Sequence, residues 1–353
     1  MTSKIIQLYQ ADERGVVLRR VGPLSDAKTA LVRREINGEY SLTVSLPRCA
    51  LYEGQVQIGS AIRAAVNEAG KEQIFIVKRR SRSLTGDMVI YAEHQSYLFN
   101  GLVVHAGSIN TGGYVYIVFS HLRSDAVPSI TDISTWTYSR DDNLRVDFPL
   151  RPAPLPMMTL LKNFLIAHAG GELIFDGFDV EYVDAMGTNK GAFYRYAANM
   201  TDMSAEDIMD NYVTGIYPYW GAKDDVNRPL TVLTNELYQF TGNFPVQVAV
   251  PVDFSNQFST APTQQQLLDA CQAYEALHSP TGIPISIKAS RVRVKGDVDI
   301  DLGDTVRVIN TPWGVDVTTR VFALTFDALQ GRVVDVQFGT VNPGFAGAVR
   351  NIR

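Results

Sequence analysis

The sequence is poor in the features that usually announce chemistry. Its 353 residues include two cysteines, Cys49 and Cys271, with no CxxC pair, which excludes a disulfide framework and a cysteine-based zinc site and leaves free buried thiols as the expectation. No stretch approaches the roughly 18 apolar residues of a membrane-spanning helix. Met1-Thr2-Ser3-Lys4 leads straight into a strand-like Ile5-Ile6-Gln7-Leu8 without a signal-peptide core, so synthesis in a cytoplasm and no membrane insertion are expected. The signatures HExxH, GxSxG, GxGxxG and the P-loop are all missing, and the residues imply no catalytic group, cofactor or metal. Positive charge is not in excess either: 32 Lys and Arg stand against 37 Asp and Glu, for a net charge of −5. Stable binding to a phosphate backbone needs a basic face that releases counterions, so nucleic acid is not the expected ligand.

What is present is the composition of a folded globular protein, 46% hydrophobic and 20% charged, long enough for two to four subdomains. The clearest pattern lies near the end: Leu302-Gly303-Asp304-Thr305-Val306-Arg307-Val308, then Val315 to Phe326, a turn at Ala328-Leu329-Gln330-Gly331, then Val333 to Phe338. Alternation at Val317, Thr319 and Val321, and again from Val334 to Phe338, predicts half-buried antiparallel strands. A faint copy stands near the start, with Ile58-Gly59-Ser60-Ala61-Ile62-Arg63, Ile74 to Lys78, Ser83-Leu84-Thr85-Gly86 and Met88 to Tyr91. Gly59 to Gly86 is 27 steps and Gly303 to Gly331 is 28. Arg63 matches Arg307, and Leu84 matches Leu329. Two copies of one small β unit are the reading this supports.

Thr29 to Glu35 and Glu39 to Leu46 alternate around Asn37-Gly38, which predicts a hairpin closed by a type I′ turn with positive φ at both residues. Pro47 ends the second strand. Residues 1–100 therefore read as one β subdomain. From Gly101 to Leu150 the pattern loosens around Thr111-Gly112-Gly113. Met157, Leu160, Leu161, Phe164, Leu165 and His168 recur at helical spacing, stopped by Gly170-Gly171, and strands are expected over Glu172 to Val183. Ser204-Ala205-Glu206-Asp207 has the form of an N-cap with acids in the first turn, followed by Ile208, Met209, Tyr212 and Val213 on one face and a stop at Gly215. A further helix starts at Thr263, with a capping box to Gln266, buries Leu267, Cys271 and Tyr274, and closes at Pro280 and Gly282. The second β unit begins near Ile285. The expected divisions are 1–100, 101–190, 191–283 and 284–353, with an overall α+β, β-rich order in which the repeated units bracket mixed material.

Three clusters carry some chemical interest. Cys271 and His278 share a helix face, but two turns span about 10 Å, too far for a hydrogen bond that would activate the thiolate. Asp297, Asp299, Asp301 and Asp304 have the acidity of a calcium loop, yet Leu302 and Val308 stand where an EF-hand needs Gly and Glu. The alternation with Val298, Ile300 and Leu302 predicts a strand with an acidic solvated face instead. Lys78-Arg79-Arg80-Ser81-Arg82 has no interleaved aromatics, so an exposed hairpin end that discourages aggregation, or a contact with a protein partner, is expected rather than nucleic-acid readout.

Several blocks, taken together and in order, resemble the N-terminal module of bacteriophage tail-associated proteins, often labelled prophage tail endopeptidases. They are Arg34-Glu35-Ile36-Asn37-Gly38-Glu39-Tyr40-Ser41-Leu42, Tyr91-Ala92-Glu93-His94-Gln95-Ser96-Tyr97-Leu98, Tyr194-Arg195-Tyr196-Ala197-Ala198-Asn199-Met200-Thr201-Asp202, Gly215-Ile216-Tyr217-Pro218-Tyr219 and Leu302-Gly303-Asp304-Thr305-Val306. The resemblance implies a baseplate or tail-tip hub of the virion, a homotrimer built from two related β-barrel domains per chain. Its implied partners are the distal tail protein, the tail tube, the tape-measure protein and receptor-binding proteins, with DNA only in passage. The peptidase or lysozyme segment of the long members follows the hub module, whereas this chain stops at Arg353, so a structural role without enzyme activity is expected. The alternatives are a cell-wall hydrolase and a carbohydrate-binding receptor module. Asn37, Gly38, Gly59, Gly86, Gly303 and Gly331 are the structural turns on which the reading rests.

Overall fold

The structure is a computed structural model and describes residues 5–48, 50–82, 86–104, 113–140, 145–146, 155–166, 169–195, 198–207, 213–221, 231–233, 236–242, 244, 246–255, 257–258, 260–279, 285–291, 299–313 and 315–339. Cys49, Ser83 to Thr85, Thr111, Gly112, His168, Tyr196, Ala197, Ile208, Met209, Tyr212, Pro280, Gly282, Asp297 and Val298 lie outside the described residues.

Strands of three or more residues are β1 Gln7–Ala11, β2 Val17–Pro23, β3 Thr29–Glu35, β4 Tyr40–Leu46, β5 Ala61–Ala65, β6 Glu72–Arg82, β7 Met88–His94, β8 Trp136–Tyr138, β9 Glu172–Asp176, β10 Asp179–Val183, β11 Asn189–Arg195, β12 Met200–Asp207, β13 Gly215–Trp220, β14 Ala249–Asp253, β15 Ile285–Arg291, β16 Thr305–Asn310, β17 Val315–Asp327 and β18 Arg332–Gly339. The helices are α1 Val115–Ser124, α2 Met157–Thr159, which continues as a π-helix over Leu160–Ile166, and α3 Gln264–His278. Thirteen strands form one sheet in the order β12-β15-β18-β17-β3-β4-β7-β6-β5-β1-β2, with β16 beside β17 and β11 beside β16.

The fold is α+β and β-rich, with one correction. The described residues close no barrel; the first and last β segments are joined edge to edge, because β3 pairs antiparallel with β17 (Val32 opposite Phe326). They also share one core, which takes Leu8, Val32, Leu42, Phe75 and Ile90 from the first segment and Val306, Val321, Phe326 and Phe338 from the last. Joining the edges buries backbone groups that two separate barrels would each have to satisfy alone.

Within this sheet the duplication extends to the hydrogen bonding. Gly59 N–H donates to Val77 O at 2.9 Å and Val77 N–H to Ser60 O at 2.9 Å; Gly303 N–H donates to Val321 O and Val321 N–H to Asp304 O, both at 2.8 Å. Gln57 N–H is accepted by Ser60 Oγ at 3.1 Å, and Asp301 N–H by Asp304 Oδ2 at 2.7 Å. Both glycines take left-handed φ, 85° and 83°, which explains their recurrence. Ile62 pairs with Phe75 as Val306 pairs with Thr319, and each long strand carries a bulge at the same place, between Val77 and Arg79 and between Val321 and Ala323. The units are thus β3-β4-β7-β6-β5 and β12-β15-β18-β17-β16.

Ser204 to Asp207 do not start a helix. They lie in β12, paired antiparallel with β15 from Met200 opposite Arg291 to Asp207 opposite Ile285, and Gly215 opens β13 rather than ending a helix. A distant strand partner outweighs the local capping signal. Between the units, β8-β10-β9 and α1 and α2 surround a second core that includes Phe119, Leu161, Leu165 and Tyr182. A third core packs α3, through Leu267 and Cys271, against β13. The capping box of Thr263 and Gln266 is present in α3. Gly170 and Gly171 follow the π-helical segment with φ of 64° and 81°. No helix among the described residues is long and apolar enough to cross a membrane.

Candidate assembly interface

The tip of the β3–β4 hairpin is a docking point as well as a turn. Four residues, Ile36 to Glu39, connect the strands, and among them only Asn37 has positive φ, 53°. The turn is therefore not type I′. Gly38 is small for a different reason: a Cβ there would stand 2.8 Å from both Cβ and Oε2 of Glu35. The Asn37 amide donates to Gly171 O and accepts from Leu173 N–H, each at 2.9 Å. Gly38 O accepts from Tyr97 Oη at 2.7 Å and from Lys162 Nζ at 3.0 Å. Burial pulls the Lys162 ammonium down to about 8 and pushes the Tyr97 phenol up to about 12. The hairpin tip thus holds the insert, the segment with β8 to β10, onto the sheet.

Two more contacts fasten the same junction. Arg320 on β17 grips the buried Glu172 through two hydrogen bonds of 2.8 and 2.9 Å and donates to Met186 O and Gly303 O. His94, buried at the end of β7, contacts Ser96 Oγ at 2.9 Å and Gln73 Oε1 at 3.0 Å, and stacks on Tyr40 with centroids 4.1 Å apart. Gln73 in turn donates to Asp176 and accepts from Gly177 N–H. Desolvation drops the His94 pKa to about 3, so the ring is neutral.

Over its described part, Asp299 to Asp304, the acidic run is also structural, and the expectation of a strand with a solvated acidic face fails there. The strand begins only at Thr305, and Asp304 is 2% exposed. Asp304 accepts from Lys190 Nζ at 2.7 Å and Thr188 N–H at 2.8 Å, while Asp301 pairs with Arg34 and accepts from Asn67 at 3.0 Å. Burial acts to raise the Asp301 pKa, but Arg34 and Asn67 bring it below the ordinary carboxylate value. The loop packs so tightly on the insert that a Cβ on Gly187 would come within 2.2 Å of the Gly303 backbone. On α3, burial pushes the Cys271 thiol up to about 12, and His278 stacks on Tyr274 at 3.9 Å with Nδ1 2.8 Å from Tyr274 O. Neither has the geometry of a thiolate–imidazole pair.

Of the other turn residues, Gly331 (φ 69°) closes the β17–β18 hairpin by donating to Asp327 O at 2.8 Å, and Gly86 lies in the bend that enters β7. Sequence reasoning missed the junction residues Glu172, Arg320, Gln73 and Lys162. Each lies far in sequence from its partner, and no local pattern marks it. The basic run Lys78 to Arg82 is the far half of β6, exposed over all five residues. Arg80 donates to Val56 O, Arg82 pairs with Glu53, and Arg79 lies over the Tyr91 ring.

This duplicated, edge-joined sheet with α+β segments between the copies is similar in fold to solved prophage tail proteins. The chain is similar in structure to prophage tail protein gp18 from Listeria monocytogenes EGD-e, at 15% identity and a TM-score of 0.63, covering 98% of this chain and 97% of that one. It is likewise similar to a tail protein from Neisseria meningitidis MC58 (12% identity, TM-score 0.59, 98% of both chains). A third likeness is to the 43 kDa tail protein of prophage MuSo2 from Shewanella oneidensis (11% identity, TM-score 0.60, 96% of this chain and 98% of that one). No protein-family model matches the chain, and no curated protein is similar to it in sequence. The likeness is one of fold.

Proposed function

We propose that the chain is a structural hub at the tip of a phage tail, a homotrimer that caps the tail tube before infection and opens to pass DNA or the tape-measure protein. The observation that carries this reading is the duplication, in which one chain holds two β units with the same strand order, hydrogen bonds and bulge. Three chains would supply six equivalent units, and a threefold object could then meet a sixfold tube without a symmetry clash. The likeness in fold to prophage tail proteins over nearly the full length of both chains supports the same assignment. Distal tail protein and tail tube would be the partners on one face, with the tape-measure and receptor-binding proteins as further candidates. A net charge of −5 suits a channel along which DNA must slide without sticking.

Light scattering on the purified protein is expected to give three times the chain mass; a stable monomer at all concentrations would overturn the hub reading. No hydrolase activity is part of this proposal. Burial pushes the Cys271 thiol up to about 12 and the His94 ring down to about 3, so at neutral pH the thiol stays protonated and the imidazole is a very weak base. A peptidoglycan zymogram is expected to stay blank, and clearing that vanishes on a single substitution would replace the structural assignment with an enzymatic one.

A further inference from the structure

The two units differ at one edge. In the second, residues 323–327 of β17 are covered by β3, from Ala323 opposite Glu35 to Asp327 opposite Leu31. The counterparts in the first unit begin at Arg79. Residues 79–82 pair with β7 on one side and, among the described residues, with no strand on the other. An open edge of this kind is a template for another strand. The counterpart of β3 is β12, which pairs with β15 as β3 pairs with β4 and, among the described residues, leaves its second edge unpaired. Among the described residues, each chain therefore has at 79–82 a receiving edge and in β12 a strand with a free side that matches it. They are the two halves of a contact that the chain already makes once within itself.

We propose that β12 of one copy adds, antiparallel, to the edge formed by residues 79–82 of β6 in a second copy. The proposal rests on the hub reading and names the interface that would close its ring. The register transfers directly. Val32 pairs with Leu42, and Ala205 pairs with Ile287 at the matching place in β15, so Ala205 takes the part of Val32. Arg82 takes the part of Phe326. Arg82 then opposes Ala205, Ser81 opposes Glu206 and Arg80 opposes Asp207.

The internal contact also sets which groups point outward. Ile36 N–H donates to Phe322 O at 3.0 Å and Ala328 N–H to Ala30 O at 2.8 Å, so even-numbered positions from 322 to 328 turn their backbone toward β3. Their counterparts Arg80 and Arg82 turn theirs to the open edge, and Ser81 with Glu206 forms a non-hydrogen-bonded pair, the closer of the two antiparallel kinds. Charge selects the occupant. The receiving edge carries Lys78, Arg79, Arg80 and Arg82, and the sequence of β12 carries Asp202, Glu206 and Asp207. In this register position 80 stands opposite position 207, an Arg–Asp pair, with Arg82 diagonal to Asp207 and Arg79 diagonal to Glu206, while Asp202 falls beyond the edge; opposite signs favour this match and disfavour the pairing of two basic edges. In one chain the two elements stand at opposite ends of the run β12-β15-β18-β17-β3-β4-β7-β6, so copies placed head to tail continue the sheet.

The test is disulfide trapping in the full chain. Ser81→Cys combined with Glu206→Cys, oxidised and run without reductant, is expected to give covalent dimers and closed trimers. Ser81→Cys with Ala205→Cys, one residue out of this register, and each single variant should give neither. Arg80→Pro, which deletes an outward N–H, is expected to weaken trimer association at least tenfold; trimers as stable as those of the parent protein would overturn the pairing. A parent protein that is trimeric by light scattering without the 81–206 cross-link also overturns this interface but leaves the hub assignment standing. A monomer without the cross-link overturns both.

Discussion

The two β units are the same backbone under different side chains. At matched positions beyond the bulge, the second unit has Ala323, Leu324 and Phe326, all buried, and the first has Arg79, Arg80 and Arg82, all exposed. The apolar version lies under β3 of the same chain. A contact formed once, within the chain, can be apolar because it is never exposed after folding. An edge that must wait in solution is made basic, which keeps it from random pairing. Composition at equivalent positions thus separates a finished contact from a reserved one, which the backbone alone does not do.

Substitution at the matched pair tests that contrast most strongly. Phe326→Ala removes a fully buried ring at the β17–β3 seam and is expected to cost about 3–5 kcal/mol, while Arg82→Ala, at the equivalent position, removes an exposed arginine from its ion pair with the more buried Glu53 and is expected to cost about 1 kcal/mol. Denaturant unfolding of both variants checks this; equal losses would show that the two edges do not differ in the way their burial implies. Arg320→Ala should come next. It strands the buried Glu172 carboxylate, and because the arginine itself is partly exposed the cost is set at about 2–3 kcal/mol. Limited proteolysis is expected to cut earlier at the junction between β17 and the insert, and an unchanged digestion pattern would remove Arg320 from the junction.

The third test uses pH. The folded-state pKa of His94 is about 3, below its ordinary value of 6.5. The unfolded chain therefore takes up a proton that the folded chain refuses, and stability falls as pH drops from about 6.5 toward 3. The slope from this group is about 1.4 kcal/mol per pH unit. Replacing His94 with Gln should flatten the profile over that window; an equally steep loss would place the titrating group elsewhere. The smallest effect is expected at the hairpin tip. Gly38→Val drives a branched Cβ into Glu35 and is expected to cost about 1–2 kcal/mol, measured as a lower melting temperature. Gly38→Val combined with Glu35→Ala should recover part of it.

Local signals in the sequence located the β3–β4 hairpin, the strands around Glu172 to Val183, the capped helix after Thr263 and the repeated glycines at 59 and 303, since each is set by neighbours within a few residues. Nonlocal pairing was not legible. Ser204 to Asp207 carry a good helix start, and it is the strand Ile285–Arg291 that makes them β. The same holds for the acids: Asp301 and Asp304 alternate with apolar residues as a solvated strand would, but their partners are Arg34, Asn67 and Lys190 from three other parts of the chain. Asn37 was legible as a turn residue but not as the anchor of the insert, because its two partners lie across a core boundary at Gly171 and Leu173.

The bulge after Val77, repeated after Val321, bears on ancestry. A one-residue irregularity at the same place in both units, with almost no shared sequence around it, is an inherited trait: the extra residue was already there when the segment was copied. Duplication then freed each half to mutate alone: the first unit is followed by the long segment between β7 and β11, and the second carries β13, β14 and α3 between β12 and β15, where the first has only a tight hairpin.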